Sequence, residues 1–487
     1  MNYKLIMKIV GKIMISLSIF MLLPLVVSLI YYKSEGLDNV LAFAIPIVVL
    51  FVFGFCLSFK RKTQGKIGVK EGMIIVALTW LLISLFGCIP FMISKEIPNF
   101  FDAFFEMASG FTTTGASIVK DVEALSHSIL FWRSFSHWIG GMGILVFILA
   151  LIPESKEGSS VNILRAESAG PQVGKLVSKM KVTSRILYLI YSGLTIILIL
   201  FLFLGPDKKM TFFNSVIYSL GTAGTGGFSM DATGLQDYSA YSQYVISIFM
   251  LLFGINFSIY YLMFIGNFKE VLKNEEVKVY FIIIIIAVVL ITGNIISKYA
   301  NLEEAFRTAL FQVSSIMTTT GYSTTDFNLW PSFSKIILIC LIVFGGCAGS
   351  TAGGVKISRV IILVKTFIRK IRNSISPRKV ENIKIDGKII HDQTVEGVQS
   401  FIVAYMIIFI LCAFLISIDG FDLETNLTAS LTCISNVGPG FSSVGPCSNF
   451  AGFSNLSKFI LALEMIAGRL EIFPILVLFT KNTWTKK

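Results

Sequence analysis

The sequence has few of the residues that catalytic and metal sites require. Its three histidines, His127, His137 and His391, are scattered, and its seven cysteines form no Cys-x-x-Cys pair. It also has no nucleotide-binding loop, catalytic triad or carboxylate pair. Charged residues make up only 14% of the chain, so no soluble domain carries a basic face for nucleic acid. We therefore predict a protein that is not an enzyme, holds no cofactor and binds no nucleic acid.

Apolar residues, by contrast, are abundant. They make up 54% of the 487 residues, and the mean hydropathy is +0.78. Such values are typical of a polytopic membrane protein. A helix that crosses the hydrocarbon core of a bilayer needs about 20 apolar residues. Ten stretches meet this requirement, at about 10–31, 39–59, 71–93, 127–152, 183–204, 241–266, 279–298, 334–364, 397–418 and 457–480.

Lysine and arginine are distributed unequally between the two sides of these spans. If the N-terminus is cytoplasmic and the spans alternate, 30 basic residues face the cytoplasm and nine face the other side. An excess of basic residues marks the cytoplasmic loops of membrane proteins. We therefore predict a multi-pass protein of the cytoplasmic membrane with both termini inside. The net charge of +12 then reflects this topology and contact with anionic lipid headgroups.

Four short segments of the chain are nearly the same. They read Phe111-Thr-Thr-Thr-Gly-Ala-Ser117, Ala223-Gly-Thr-Gly-Gly-Phe-Ser229, Met317-Thr-Thr-Thr-Gly-Tyr-Ser323 and Asn436-Val-Gly-Pro-Gly-Phe-Ser442. Aligned in this way, they share one glycine, at Gly115, Gly227, Gly321 and Gly440. The spacings of 112, 94 and 119 residues indicate a fourfold internal repeat.

Each Thr/Gly segment follows a half-span that is too short to cross the bilayer. The half-spans lie at about 100–111, 211–222, 302–317 and 422–435. Extended backbone at membrane depth survives only when it is buried in protein or lines a wet cavity. Four such loops on one axis can form a ring of carbonyls that replaces the hydration shell of a monovalent cation. The alternative for any single loop is an ordinary helix-breaking turn.

This reasoning predicts an all-α polytopic membrane protein with about ten transmembrane helices, in which four pseudo-fourfold repeats of helix, pore loop and helix surround a central pore. The predicted divisions are 1–62 for two extra N-terminal helices, then 63–158, 159–270, 271–375 and 376–487 for the repeats, with pore loops at 100–117, 211–229, 302–323 and 422–442. The predicted ion-binding residues are Thr112, Thr113, Thr114, Gly115, Gly224, Thr225, Gly226, Gly227, Thr318, Thr319, Thr320, Gly321, Val437, Gly438, Pro439 and Gly440.

A glycine-rich run interrupts the last span of the third repeat at 345–354. Each glycine costs about 1 kcal/mol relative to alanine in a helix interior, so we expect irregular backbone here, next to a cavity. A helix-packing surface made of small residues is the alternative. The residues concerned are Gly345, Gly346, Gly349, Ser350, Thr351, Ala352, Gly353 and Gly354.

Charged residues within spans are costly and are candidates for function. Arg469 is placed mid-span in the last predicted helix, where it either has a functional role or is satisfied by pore-helix carbonyls or by an acidic residue of another helix. Arg133 is placed near the outer end of its span, where we favour a snorkelling side chain. Glu106 either supplies negative field at the outer mouth or is a solvated charge. Whether Cys433 and Cys447 pair is left open.

The chain resembles the Trk/Ktr/HKT superfamily of potassium transporters, specifically the TrkH-like branch. The resemblance rests on the four loops together with His137-Trp-Ile-Gly-Gly-Met-Gly143, Phe344-Gly-Gly-Cys-Ala-Gly-Ser-Thr-Ala-Gly-Gly354 and Ala467-Gly-Arg-Leu-Glu-Ile-Phe-Pro474. It covers essentially the whole chain, and the two extra N-terminal spans favour the Trk branch.

The resemblance implies potassium uptake, with K⁺ as the transported ion. It also implies a homodimer and a separate cytoplasmic ring protein that binds NAD or ATP and regulates transport. Residues 345–354 would form an intramembrane gate below the filter, and Arg469 would be an electrostatic barrier to cations. Gly115 argues for potassium over sodium, although a sodium-permeable or non-selective pathway on the same scaffold is the alternative. A secondary transporter with inverted repeats is a further rival.

Overall fold

The structure, a computed structural model, describes residues 3–58, 68–143, 180–376 and 381–484. Among these residues, six helices are long and apolar enough to cross a membrane, and the bent pair Ala240–Phe253 and Phe257–Phe264 makes seven if it is counted as one span. The six are Tyr3–Ile30, Leu37–Ser58, Val69–Ile93, Val182–Phe203, Glu275–Lys298 and Asp392–Asp419. The first two are the predicted N-terminal pair, and the other four each begin a repeat.

Each repeat continues from its leading helix into a half-helix, a loop and a closing helix. The half-helices are Phe100–Phe111, Phe212–Gly224, Leu302–Met317 and Leu423–Ser435. The closing helices are His127–Gly141, Ala240–Phe253, Ser332–Phe344 and Asn455–Arg469. This order confirms the predicted all-α fold of four similar units around a centre. The predicted divisions at 62/63 and 158/159 lie outside the described residues.

The half-helices begin where the sequence places a side chain that can cap them. The residues before their first turns are Asn99, Thr211, Asn301 and Asp422, and each side chain accepts a hydrogen bond from a backbone amide of that turn. Such caps contribute about 1 kcal/mol each. The predicted half-span bounds are confirmed within two residues at each end.

In the described residues the closing helices of the second, third and fourth repeats are interrupted, whereas the sequence predicted a break only in the third. Continuous spans at 241–266 and 457–480 are therefore wrong. In the second repeat the chain bends by 90° at Gly254–Asn256, where Asn256 caps the following helix. In the fourth, Glu471 and Ile472 have φ of 54° and 71°, and the helix resumes at Phe473–Phe479. The first closing helix ends at Gly141, and residues 144–152 of that predicted span lie outside the described part.

The distribution of polar residues is the reverse of that in a soluble protein. The leading helices expose apolar side chains, such as Ile197, Val289 and Ile410. The ends of the half-helices bury polar ones, which include Ser109, Thr112, Ser219, Ser314, Ser315, Thr432 and Ser435. Lipid can cover the apolar outside, whereas polar groups in a membrane collect around a polar interior. The molecule is therefore a membrane-spanning protein with a polar centre.

A small hairpin lies between the third and fourth repeats. Strands Lys384–Ile385 and Lys388–Ile389 pair antiparallel, with Lys384 opposite Ile389. The turn residues Asp386 and Gly387 both have positive φ, as a two-residue hairpin turn requires. The sequence of this loop, with β-branched residues before an Asp-Gly turn signal, predicts a short strand or hairpin, and the structure shows the hairpin. The segment 153–182, which joins two predicted spans on the cytoplasmic side, is a second candidate surface for a regulatory partner, and it lies almost wholly outside the described residues.

Candidate ion pathway

The four half-helices end in the same backbone turn. Near the end of each helix, one residue adopts the left-handed conformation with φ of 54–57°: Thr113, Thr225, Thr319 and Asn436. Its amide donates to the carbonyl three residues earlier, and the next amide donates to the carbonyl five residues earlier, all at 2.8–3.2 Å. This pair of bonds is the Schellman motif. A left-handed non-glycine residue costs about 1–2 kcal/mol, so the surrounding structure must hold each turn in place.

These turns determine which glycines are equivalent. Two residues after each left-handed residue comes a glycine with φ between 75° and 96°: Gly115, Gly227, Gly321 and Gly438. The prediction that Gly440 is the fourth shared glycine is therefore wrong by two residues. Gly440 packs beside Thr428 and Val444, and its amide donates to the Val444 carbonyl at 2.7 Å. Gly438 and Gly440 flank Pro439, and alignment of the four segments by residue type pairs Gly440, not Gly438, with the other three glycines.

The four glycines, which we call the ring glycines, lie against one another's loops in cyclic order. A Cβ on Gly115 would lie 2.1 Å from the carbonyl oxygen of Gly226, and one on Gly227 would lie 2.0 Å from that of Thr320. A Cβ on Gly321 would lie 2.3 Å from the carbonyl oxygen of Val437. A Cβ on Gly438 meets that of Thr114 at 2.6 Å, which closes the ring. No side chain fits at these positions, so the backbones of four loops approach one axis.

A cavity of about 130 Å³ opens on one side of this ring. All four ring glycines line it, together with Arg133 and Pro439, whereas Gly440 does not. The ring therefore lies at the base of a small polar vestibule. Because the half-helices end at the ring, their C-termini, which carry partial negative charge, converge there. Backbone carbonyls and helix ends of this kind favour a cation.

Arg133 and Glu106 form a buried ion pair behind the first loop. The Nε and Nη2 atoms of Arg133 both lie 2.8 Å from Oε1 of Glu106, and the two side chains are 2% and 0% exposed. Arg133 is therefore not a snorkelling residue at the membrane surface, and Glu106 is not a solvated charge at the mouth. The sequence did not predict this ion pair, because its two residues are 27 positions apart.

The loop at 345–356 passes directly beneath the ring. The amide of Gly353 donates to Oγ1 of Thr319 at 2.6 Å, and that of Gly354 donates to the carbonyl of Ser435 at 2.9 Å. Thr319 belongs to the Schellman turn of the third repeat, and Ser435 ends the fourth half-helix. The expected irregular backbone is confirmed, because Gly345, Gly349 and Gly354 all have positive φ. A simple helix-packing surface is thereby excluded.

The same loop is held from the side by the second and third repeats. The amide of Cys347 donates to the Gly254 carbonyl at 3.0 Å, and Phe257 donates to the Gly349 carbonyl at 3.1 Å. On the other flank, Oε1 of Glu276 accepts the amides of Ala348 at 2.7 Å and Ser358 at 3.0 Å. Glu276 is 8% exposed. No sequence signal distinguished it from the other charged residues of 270–278.

Arg469 joins this loop to the first repeat. It is the last residue of the closing helix Asn455–Arg469, at the break that divides the predicted span 457–480. Its Nη1 donates to the Thr351 carbonyl at 2.9 Å, and its Nη2 donates to the carbonyls of Gly140 and Gly141 at 2.6 Å each. The carbonyls at a helix C-terminus are a favourable place for a cation. Arg469 is thus satisfied by carbonyls, and it connects the fourth repeat to the first and third beneath the ring.

A second cationic side chain, that of Lys356, belongs to the loop itself. The Lys356 ammonium donates to the carbonyl of Ala352, the residue after the Arg469 acceptor Thr351. Two positive charges therefore lie on one side of the ring, both in contact with carbonyls of this loop. Cys433 is buried and Cys447 is exposed, and both are free thiols. The described residues include no group of three or more histidine, cysteine or acidic side chains arranged to hold a metal.

Comparisons with known proteins agree with this geometry. The family model TrkH, described as a cation transport protein, matches residues 40–486. The Trk system potassium uptake protein TrkH of Vibrio parahaemolyticus is 33% identical over 494 residues, covering 99% of this chain and 100% of the relative. Trk system potassium uptake protein TrkG of Escherichia coli K12 is 31% identical over 474 residues, or 96% of each chain.

The fold agrees as well. The crystal structure of the potassium transporter TrkH from V. parahaemolyticus covers 100% of both chains with a TM-score of 0.87 and 31% identity. The predicted resemblance is confirmed, and so is the prediction of a transport protein and not an enzyme. A family model that spans nearly all residues, relatives of the same length and a matching four-unit structure show that this chain belongs to the TrkH family of cation transport proteins.

Proposed function

We propose that this chain takes up potassium ions across the cytoplasmic membrane through the ring formed by Gly115, Gly227, Gly321 and Gly438. The observation that carries the proposal is the cyclic contact between each ring glycine and a carbonyl of the next loop. Carbonyl oxygens gathered in this way can replace the hydration shell of a monovalent cation. The relatives named as potassium uptake proteins indicate which cation it is.

The ion ligands in this proposal are backbone carbonyls of the four turns. The carbonyls that contact a ring glycine belong to Thr114, Gly226, Thr320 and Val437. The preceding residues, Thr112, Thr113, Gly224, Thr225, Thr318 and Thr319, form the turns that position them. Pro439 and Gly440 follow the ring and are removed from the proposed ligand set. Threonine hydroxyls bond to each other behind it, at 2.7 Å for Thr112 with Thr114.

The loop at 345–354 is the proposed gate. It lies beneath the ring, and it carries the carbonyls to which Arg469 and Lys356 are attached. In this arrangement the loop blocks the path by its bulk, and the two cations oppose entry of a third. Conduction then requires the loop to move away from the ring. A homodimer and a cytoplasmic ring protein that binds NAD or ATP are the proposed assembly and regulator.

Ion flux in proteoliposomes tests the proposal. Purified protein is reconstituted into K⁺-loaded vesicles, and flux is followed with a voltage-sensing dye against external K⁺, Rb⁺, Na⁺ and Li⁺. We expect K⁺ and Rb⁺ signals well above those of Na⁺ and Li⁺. Equal K⁺ and Na⁺ signals would overturn potassium selectivity and favour a general monovalent cation pathway. If the wild type is silent, Arg469→Ala is measured next, and silence there too would contradict the proposed gate.

A further inference from the structure

Every pore loop is tied back to its own half-helix just after the ring. In each loop, the third residue after the ring glycine is hydrogen-bonded to a side chain of the half-helix. These residues are Ile118, Met230, Thr324 and Phe441. In the second and third repeats, neutral side chains make this tie, with Tyr218 accepting the Met230 amide and Gln312 donating to Thr324, both at 3.5 Å. In the fourth, Oγ1 of Thr428 accepts the Phe441 amide at 3.0 Å. The four loops thus share one mechanical support, made from different chemistry.

In the first repeat the tie is made by the buried ion pair. Oε2 of Glu106 accepts the Ile118 amide at 3.0 Å, and the hydroxyl of Ser117 donates to the same carboxylate at 3.0–3.1 Å. The Arg133 guanidinium in turn lies 3.2 Å from the Ser117 hydroxyl. Charge-assisted hydrogen bonds are stronger than neutral ones, so this loop is held more firmly than the others.

Arg133 also reaches the second loop. Its guanidinium carbon lies 4.2 Å above the ring of Phe228, the residue that follows Gly227. The Arg133 side chain therefore contacts two neighbouring loops just after their ring glycines, at Ser117 and at Phe228. Its charge is balanced by Glu106. A planar guanidinium suits this position, because it can stack on an aromatic ring and form a fork of hydrogen bonds at the same time.

We propose that the Glu106–Arg133 pair is a specificity-determining support of the ion pathway, which holds the first two loops at the spacing that favours potassium over sodium. The proposal rests on the proposed potassium uptake. Neither side chain is assigned contact with the ion, so both are positioning residues. If the pair is broken, the carbonyls of the first two loops can relax towards a smaller ion, and discrimination falls.

The test compares K⁺ and Na⁺ flux through proteoliposomes for Glu106→Gln, Arg133→Met and the double variant. We expect each to lower the K⁺/Na⁺ flux ratio about tenfold, because the loops lose the support that fixes their carbonyl spacing. Arg133→Lys keeps the charge but loses the fork and the stacking, so its ratio should lie between those of the wild type and Arg133→Met. The matched control is Glu464→Gln, which alters another buried carboxylate, one that accepts a hydrogen bond from Ser430 of the fourth half-helix.

Two further results keep the test decisive. Removing one partner of a buried pair is strongly destabilising, so Ser117→Ala provides a variant that retains both charges and loses only the bridging hydroxyl. It should also lower the ratio. An unchanged ratio in Ser117→Ala and in the folded charge variants, with only a lower melting temperature, would overturn the inference. If wild-type protein itself shows no preference for K⁺, the proposed function fails instead.

Discussion

At the scale of single residues, Asn436 determines which glycine of the fourth loop lies in the ring, because the ring glycine follows the left-handed residue by two positions. It occupies the left-handed position that threonine holds in the other three loops. Its Nδ2 donates to Oγ1 of Thr114 and to the carbonyl of Met465, both at 2.9 Å. Asparagine tolerates the left-handed conformation better than most residues. The fourth turn is therefore stabilised by a side chain that also joins it to the first loop.

The two glycines of the fourth loop should respond differently to substitution. Gly438→Ala places a Cβ against the Thr114 carbonyl at a φ of 96°, so we expect K⁺/Na⁺ discrimination to fall about tenfold, since such strain costs on the order of 1–3 kcal/mol. Gly440→Ala meets only side-chain atoms of Thr428 and Val444, at 2.9 Å, which can move. Flux ratios of the two purified variants give the comparison, and a larger loss in Gly440→Ala would refute the revised register.

Arg469 can act through its charge or through its crosslink, and two variants separate these roles. Arg469→Ala removes both, so we expect higher K⁺ flux through reconstituted protein. Arg469→Lys keeps the charge but cannot reproduce the forked bonds to Thr351, Gly140 and Gly141. Low flux in the lysine variant supports a charge barrier, whereas high flux in both supports a crosslink. Unchanged flux in the alanine variant would contradict either role.

At the scale of elements, the third closing helix shows how a break can be held in place. Its two limbs, Ser332–Phe344 and Ile357–Ile375, are joined by a loop. Glu276 accepts hydrogen bonds both from this loop, at Ala348, and from the first turn of the second limb, at Ser358. Glu276 lies in the first turn of the third leading helix, one residue after Glu275, whose amide donates to Asp386 of the hairpin at 2.7 Å. The hairpin, the leading helix and the loop are therefore connected by direct contacts.

Glu276→Ala should loosen this loop. Two buried amides, at Ala348 and Ser358, would lose their acceptor, at a cost of about 1–3 kcal/mol for each unsatisfied group. Hydrogen exchange followed by mass spectrometry should show faster exchange in peptides that cover 345–358. Glu275→Ala is the matched control, because Glu275 pairs with Lys365 and its carboxylate does not contact the loop. Equal exchange rates of these peptides in wild type and Glu276→Ala would argue against a role of Glu276 in holding the loop.

The sequence predicts some of these elements better than others, for physical reasons. The half-helices follow from local signals, a capping residue at one end and a Thr/Gly segment at the other. The bends at Gly254–Asn256 and Leu470–Ile472 were not predicted, because the apolar residues on both sides of each break outnumber the polar residues within it. The register of the fourth loop and the Glu106–Arg133 pair depend on backbone conformation and on contacts between distant segments. These features lie beyond local pattern.

At the scale of the whole molecule, polar groups converge on the centre and apolar side chains cover the outside. The predicted orientation assigns the cavity above the ring to the outside and the 384–389 hairpin to the cytoplasm. Cys447 is exposed and lines that cavity, whereas Lys388 is exposed in the hairpin. These two positions therefore report on opposite sides of the membrane.

Thiol labelling in intact cells should confirm this orientation. We expect a membrane-impermeant maleimide to label Cys447 without permeabilisation, and Cys447→Ser to lose that labelling. A cysteine introduced by Lys388→Cys in the Cys447→Ser background should react only after the membrane is opened. Labelling in the opposite pattern would invert the topology and would place the Arg469 side of the ring outside.

The cyclic contact of the ring glycines also constrains how the four repeats can evolve. The residue allowed at one ring position is determined by a carbonyl that belongs to the next repeat, and the fourth repeat returns this constraint to the first. The four units of this chain, however different their helices, are therefore not free to diverge independently at the ring. Mutations there should show epistasis between repeats, so that a change in one loop is tolerated only with a matching backbone shift in its neighbour.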